Sequence, residues 1–299
     1  MALGIGILIT ERISAAVVSD HEVIGSVRYT PKNGDGGTDS LRGVPGEKIV
    51  QWMTELVKQL DFPKKPEFVG IGIPGIVRNG VVEDSPNLIQ FKGLNVKTLI
   101  GDSFEPGLGR IPVSVFNDAD VMAAGLAATQ GHLDRLIRVW TLGTGIGYGR
   151  YPYSQGMWEA GHSVVTLDPK ETYCGCGGKG HLEGIMGHRA MRLRFMDLEP
   201  EEVFEQAAEG DARCVEFVKL WHRALAAGTA TSIHLDGPGK FFITGFNARF
   251  VNLTLLGEYL NEMVKLSPLQ GYQIEVVPGG ENVATIGAAV NAAQAAERG

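Results

Sequence analysis

Cysteine is scarce in this chain, with three in 299 residues, and two of them, Cys174 and Cys176, stand too close together for an easy disulfide. A disulfide-stapled secreted scaffold is thereby excluded, and thiols kept reduced for metal fit a cytoplasmic protein. Long apolar runs are also missing. The N-terminal stretch Ala2 to Thr10 is too short to span a bilayer, carries no basic leader and meets Glu11 and Arg12 without a cleavage-type segment, so neither a membrane span nor a signal peptide is expected. No basic block occurs, and a net charge of -7 argues against nucleic acid as the main partner. An anionic chain that binds an anionic nucleotide must use backbone amides, a lysine or two and a divalent ion. No low-complexity linker divides the sequence.

What is present suffices for two cores. Hydrophobic residues make up 44% and charged residues 20% of the chain, and this length exceeds what one core usually fills, so two lobes are expected. Leu3 to Thr10, Ile13 to Ser19 and Val23 to Tyr29 are apolar or β-branched runs with polar breaks, which predicts a three-stranded antiparallel start. Pro31 to Gly46 reads as a mobile Gly/Asp/Asn-rich loop. Behind Pro45 and Glu47, the residues Ile49, Trp52, Met53, Leu56, Val57 and Leu60 recur at helical spacing. Phe68 to Ile73 then predicts a buried strand ending in Pro74-Gly75.

A second cycle begins with a strand at Val113 to Phe116, followed by Asn117-Asp118-Ala119-Asp120 and an alanine-rich helix to Gln130. Strands Arg138 to Leu142 and Ile146 to Tyr151 flank the turn Gly143-Thr144-Gly145. The hairpins Leu3 to Val18 and Val139 to Arg150 stand in for each other, suggesting duplicated lobes facing across a cleft. Helices are expected from Glu201 to Ile233, with Cys214 an ordinary half-buried thiol in one helical stretch, Val203 to Leu220. A strand at Lys240 to Thr244 follows, and a last helix, Val283 to Ala296, carries small residues at Gly287, Ala288 and Ala289.

The densest chemistry lies between Glu159 and Glu183. His162, Cys174, Cys176 and His181 are four soft or borderline metal ligands within one short segment, interleaved with glycines that let the backbone fold tightly around an ion. Four such ligands fill a tetrahedral shell and leave no position for a water to activate, so a structural Zn2+ is expected and a zinc hydrolase is disfavoured. Elsewhere, Leu142-Gly143-Thr144-Gly145-Ile146-Gly147 is a tight glycine turn whose amides and hydroxyl could meet a phosphate. A plain β-hairpin turn would read the same, since the lysine and following helix of a Walker loop are lacking. Asp118, between a strand and a helix, stands where open α/β sheets place catalytic groups, but taken by itself it reads more readily as an N-cap. Asn87 could bind substrate or simply complete a turn after Pro86.

The order of these segments carries more than any one of them. Gly72-Ile73-Pro74-Gly75, Ser85-Pro86-Asn87-Leu88, Asn117-Asp118-Ala119-Asp120, the glycine turn, Glu159-Ala160-Gly161-His162 and the Cys174 to Glu183 block together resemble the ROK family of sugar kinases and sugar-responsive repressors. The resemblance runs from about Leu3 to Ala289. It implies an α/β, two-lobed actin-like fold of the hexokinase, or ribonuclease H-like, type, each lobe a mixed sheet flanked by helices with a cleft between them. The lobes would comprise residues 1–115 with the returning helix 284–299, and residues 116–283 with the zinc loop.

The same resemblance implies that Asp118 is the general base that deprotonates a sugar hydroxyl as it attacks the terminal phosphoryl group of ATP. Asn117, Glu159, His162 and Glu183 would hold the sugar, with Gly75 and Asn87 closing the pocket. Thr10, Gly143, Thr144, Gly145, Gly147 and Gly245 would meet the nucleotide, with Mg2+ accompanying ATP. His162 would ligate zinc through one ring nitrogen and the sugar through the other. A homodimer or homotetramer is implied as well.

The chain departs from the family at the first hairpin, where Gly6, Leu8 and Thr10 match an Asp-x-Gly-x-Thr motif. Gly6 lacks the magnesium-side carboxylate, and Leu8 is expected to add bulk where the turn approaches the nucleotide. Phe116 replaces a glutamate and His181 a third cysteine. Thr244-Gly245-Phe246-Asn247 stands where a double glycine is expected near the adenosine. These changes leave two readings: a hexose or N-acetylhexosamine kinase acting at the 6-hydroxyl, or a silent sugar-binding protein acting as sensor or regulator. A repressor is disfavoured because the first strand starts at Leu3, ahead of which a helix-turn-helix would have to fit.

Overall fold

The computed structural model describes residues 2–31, 41–156, 159–265 and 271–298. Most of the glycine-rich stretch between Pro31 and Gly46 lies outside these described residues. In chain order the elements are β1 (Leu3–Ile9), β2 (Ile13–Ser19), β3 (Glu22–Thr30), α1 (Gly46–Val57), β4 (Phe68–Ile73), β5 (Ile76–Arg78), β6 (Val81–Asp84), α2 (Val96–Leu108), β7 (Val113–Asn117) and α3 (Asp118–Thr129). There follow β8 (Ile137–Leu142), β9 (Ile146–Tyr151), α4 (Leu182–Met186), α5 (His188–Arg194), α6 (Pro200–Glu209), α7 (Ala212–Asp236), β10 (Lys240–Thr244), α8 (Leu253–Met263), β11 (Gln273–Val276) and α9 (Glu281–Arg298).

The chain divides into two compact units. The first comprises Met1–Ile137, Gly149–Met157 and Gly279–Gly299, built on a five-stranded sheet of order β3-β2-β1-β4-β7. The strands β1, β2 and β3 are antiparallel neighbours, whereas β4 joins β1, and β7 joins β4, in parallel. Strand β1 is buried along its whole length, and its alternating side chains explain which helix lies on which face. Ile5, Ile7 and Ile9 join Ile49, Met53 and Leu56 of α1 in one apolar cluster. Glycines Gly6 of β1 and Gly70 of β4 admit α9. A Cβ on Gly6 would collide with the carbonyl oxygen of Thr285, and one on Gly70 of β4 with that of Ala288.

Gly125 and Gly287 do the same for the pairing of α3 with α9, each facing a backbone carbonyl of the other helix. The small residues of the last helix thus set how closely two helices approach. The same packing, together with β4–β7 pairing, carries the first unit to Ile137, beyond the boundary expected at residue 115.

The second unit comprises Arg138–Tyr148 and Trp158–Pro278. Its four-stranded sheet has the order β11-β10-β8-β9, with β10 and β11 parallel. A hairpin followed outward by two strands repeats the sequence β2-β1-β4-β7 of the first unit, as the paired hairpins suggested. Its core gathers Trp140 and Leu142 of β8, Leu182 and Met186 of α4, Trp221 and Leu225 of α7, and Phe241 and Ile243 of β10.

One helical stretch expected across Val203 to Leu220 is two helices. Gly210 takes the left-handed conformation (φ 96°) that closes α6, and Asp211 caps α7 by accepting the Cys214 N–H at 2.9 Å. A C-terminal glycine followed by an N-cap aspartate is a stop and a start in adjacent positions. Cys214 is fully buried rather than half-buried.

Candidate active-site elements and a metal-ligand cluster

In the first unit, the C-terminal end of β7 delivers Asn117 and Asp118 to the start of α3. Asn117 is the cap. Its Oδ1 accepts the Ala119 N–H at 2.8 Å, and its Nδ2 donates to the Gly75 carbonyl at 2.9 Å, so both ends of the amide serve the fold. Asp118 becomes the first helical residue, half-exposed, with the Ala119 N–H 3.0 Å from its carboxylate. The N-cap position is thus filled by Asn117, with Asp118 one residue further on and sharing the Ala119 N–H.

Gly75 adopts φ 111°, and a side chain there would strike the backbone of Asp84 and Ser85. The Ser85 hydroxyl donates to the Pro74 carbonyl at 2.6 Å, pinning that turn. Asn87 is exposed in the Ser85–Leu88 turn, closed by Leu88 N–H to Ser85 O at 3.2 Å. Asp120, to which the sequence assigned no role, is buried and accepts the Arg150 N–H at 3.1 Å.

The first hairpin differs from expectation. Leu8 is 4% exposed and folds inward, where a Cβ on Gly72 would come within 3.2 Å of its side chain. Its bulk is spent in the interior beside β4 rather than at the tip. At the tip, the Thr10 N–H donates to Arg12 O at 3.0 Å, and Arg12 holds Glu281 at the start of α9 through Nε at 2.8 Å.

In the second unit the glycine turn is gripped through its carbonyls. Gly143 O accepts from His188 N–H at 3.0 Å and from Asn247 Nδ2 at 3.3 Å, while Thr144 O accepts from Arg189 N–H at 3.3 Å. The Thr144 and Gly145 N–H groups find no acceptor among the described residues, which leaves two donors on a side-chain-poor turn, an arrangement suited to an anion. Gly147 lies within β9. Gly245 has φ 97°, and a side chain there would meet the Leu142 backbone.

The four expected metal ligands converge. One ligand atom from each of His162, Cys174, Cys176 and His181 lies within 4.8 Å of all the others. The Cys174 and Cys176 sulfurs are 3.4 Å apart, far beyond a disulfide bond. His162 Nδ1 is 3.4 Å from Cys174 Sγ, and His181 Nδ1 is 3.3 Å from Cys176 Sγ. A tetrahedral zinc shell with bonds of about 2.0–2.3 Å has edges of roughly 3.5 Å, so donor type and spacing fit that ion. Burial pushes the Cys174 thiol up to about 12, so its thiolate form requires a compensating cation.

The outer nitrogen of His162, Nε2, faces the exposed Glu159 at 3.8 Å. Glu183, in the first turn of α4, accepts the Ile146 N–H at 3.1 Å. Its other oxygen lies 3.6 Å from Cys174 Sγ. Sequence reasoning missed this link and His188; it named Phe246 and Asn247 only within the segment that replaces a double glycine, not as neighbours of the glycine turn.

The chain matches the model of the ROK family over residues 13–295 and belongs to that family. A glucokinase of Pyrobaculum calidifontis is 31% identical over 82% of this chain and 83% of its own length. An N-acetylmannosamine kinase of Haemophilus influenzae is 27% identical over 86% of this chain and 88% of its own. Among solved structures, a ROK hexokinase from Thermus thermophilus superposes with a TM-score of 0.78 at 22% identity, covering 99% of this chain and all of that one (100%). The fold is accordingly the α/β, actin-like one of ROK hexokinases.

Proposed function

We propose that this ROK protein is a sugar phosphotransferase, an ATP-dependent kinase that phosphorylates a hexose or an N-acetylhexosamine at its 6-hydroxyl. The observation that carries the reading is the position of Asp118 at the end of β7, half-exposed as the first residue of α3 directly after the cap residue Asn117. A carboxylate at this position accepts the hydroxyl proton late in a loose phosphoryl-transfer transition state, where positioning and charge neutralisation supply most of the rate. The glucokinase and N-acetylmannosamine kinase relatives support the substrate class.

Glu159, Glu183 and His162, with Asn117, Gly75 and Asn87, form the sugar-binding set. Sugar hydroxyls both donate and accept, so carboxylate acceptors beside amide and imidazole donors fix one stereoisomer. Thr10, Gly143, Thr144, Gly145, Gly147 and Gly245 form the nucleotide set, Mg2+ arriving with ATP to neutralise its phosphates. His162, Cys174, Cys176 and His181 hold a structural Zn2+, whose closed shell supplies rigidity and no chemistry. His162 bound through Nδ1 keeps Nε2 as a donor. The working protein is a cytoplasmic homodimer or homotetramer.

A second reading, a sugar-binding protein with little turnover, is favoured by the Thr285 carbonyl that fills the space beside Gly6. A panel of hexoses and N-acetylhexosamines with Mg-ATP separates the two. Sugar 6-phosphate that falls by about 10²–10⁴-fold in Asp118→Asn, with sugar binding retained, supports the kinase. Binding of sugar without phosphorylation supports the alternative.

A further inference from the structure

We propose that Phe246 is a stacking platform for the base of the bound nucleotide and sets nucleotide affinity in this chain. Its phenyl ring is 48% exposed although its neighbours are held firmly. Asn247 is fully buried and donates to Gly143 O at 3.3 Å, with its Oδ1 3.3 Å from His188 Nδ1. The His188 ring stands edge-on to Phe246, centroids 5.1 Å apart at 68°. A Cβ placed on Gly143 would lie 3.4 Å from the Phe246 ring. The glycine turn, the imidazole and the amide thus fix the ring beside the turn and leave part of its surface open.

An apolar ring in water gains nothing for the fold, and this one adjoins the Thr144 and Gly145 N–H groups that lack an internal acceptor among the described residues. A donor pair suited to phosphate oxygens next to a flat π surface is the combination that a nucleotide satisfies and that an inorganic anion or a sugar satisfies only in part. Base stacking on an aromatic side chain tolerates different bases and is strong enough to change affinity by an order of magnitude. The ring would also offset some of the affinity that a first hairpin without a carboxylate at Gly6 fails to supply.

This inference rests on the kinase reading only for the identity of the ligand, and its test uses binding as well as turnover. ADP and inorganic tripolyphosphate are titrated calorimetrically into the wild type, Phe246→Ala and Phe246→Trp, with thermal melting to confirm folding. The expected result is about tenfold weaker ADP binding in Phe246→Ala, near wild-type ADP binding in Phe246→Trp, and tripolyphosphate binding unchanged in both. Equal ADP affinity in the wild type and Phe246→Ala overturns the platform, as does a parallel loss of tripolyphosphate. Phe246-dependent ADP binding without phosphorylation of any sugar would sustain the platform and defeat the kinase reading. Phosphorylation with an ATP KM unmoved in Phe246→Ala would do the reverse. Absence of ADP binding in the folded wild type overturns the platform.

Discussion

The Glu183 carboxylate accepts the backbone N–H of Ile146 at 3.1 Å, and through this bond a residue of the metal-ligand segment holds the strand that leaves the glycine turn. The same carboxylate crowds Gly145, where any Cβ would press on it, and its second oxygen is 3.6 Å from Cys174 Sγ. Cluster, helix α4 and turn therefore form one mechanical piece. Under the proposed sugar-binding role, a hydroxyl meeting Glu183 would share a carboxylate already oriented by the fold, and such orientation preorganises a side chain for stereochemical discrimination.

Removing that carboxylate should loosen the turn. Glu183→Ala is expected to cost roughly 1–3 kcal/mol, the range for a charge-assisted hydrogen bond whose partner is left unsatisfied, and to weaken sugar and nucleotide binding together. Glu183→Gln keeps an acceptor oxygen for Ile146, so its melting temperature should stay close to wild type while sugar binding falls. Equal melting temperatures for the alanine and wild-type proteins would show that the bond does not organise the turn.

Restoring the carboxylate typical of the family at the first hairpin should fail. In Gly6→Asp the new Cβ meets the Thr285 carbonyl, so α9 must move away from β1 or the strand must bend. Overpacking of this kind costs about 1–3 kcal/mol or more. The expected outcome is a lower melting temperature with no gain in phosphorylation rate. A variant that melts like wild type and turns over faster would mean that α9 yields easily, and that the loss of the aspartate alone limits the reaction.

Metal removal gives a third outcome. The protein as purified should contain about one zinc per chain by elemental analysis, as a four-ligand shell predicts. Cys176→Ser, or prolonged chelation, should release it and lower the melting temperature, because binding free energy at such a site is also folding free energy. Stoichiometric zinc in Cys176→Ser would remove Cys176 from the shell. A metal-free wild type of unchanged stability would remove the site altogether.

Much of this was legible before any coordinates. The first hairpin, the strand at Phe68 to Ile73 and the helix after Asp118 announced themselves through unbroken apolar or alternating runs, and the cysteine and histidine spacing announced the cluster. Helix α2 was not foreseen, since Gly101, Pro106 and Gly107 lie inside it and depress helical propensity that tertiary contacts then override. The inward direction of the Leu8 side chain was not foreseen for a different reason: whether a strand residue is interior depends on what packs over it, and Leu8 lies beside Gly72 of β4, more than sixty residues away in sequence. Nor does any local pattern disclose that Glu183 spans two segments, because nothing in the spacing of a carboxylate two residues after His181 indicates that the Ile146 N–H lies beside it.

Acid should destabilise the protein through His222. This residue of α7 is fully buried, with Nδ1 2.8 Å from the Val218 carbonyl and Nε2 accepting the Asn252 N–H at 2.9 Å. That pattern requires the neutral ring with its proton on Nδ1, and protonation of Nε2 would strip Asn252 N–H of its acceptor at the start of α8. Burial lowers the pKa from its usual 6.5, the Val218 carbonyl only partly opposing. Above the unfolded value both states are neutral and the group contributes no pH dependence. Below it the unfolded chain takes up a proton that the folded chain refuses, so stability is lost as pH falls from about 6.5 towards the depressed folded value. The slope from one such group approaches about 1.4 kcal/mol per pH unit. Unfolding free energies from denaturant titrations between pH 7.5 and 5.5, above the range where carboxylates dominate, should show this fall in the wild type. His222→Gln can still accept the Asn252 N–H and has no proton to gain, so its profile should be flatter. Identical slopes in the two proteins would place the acid sensitivity elsewhere.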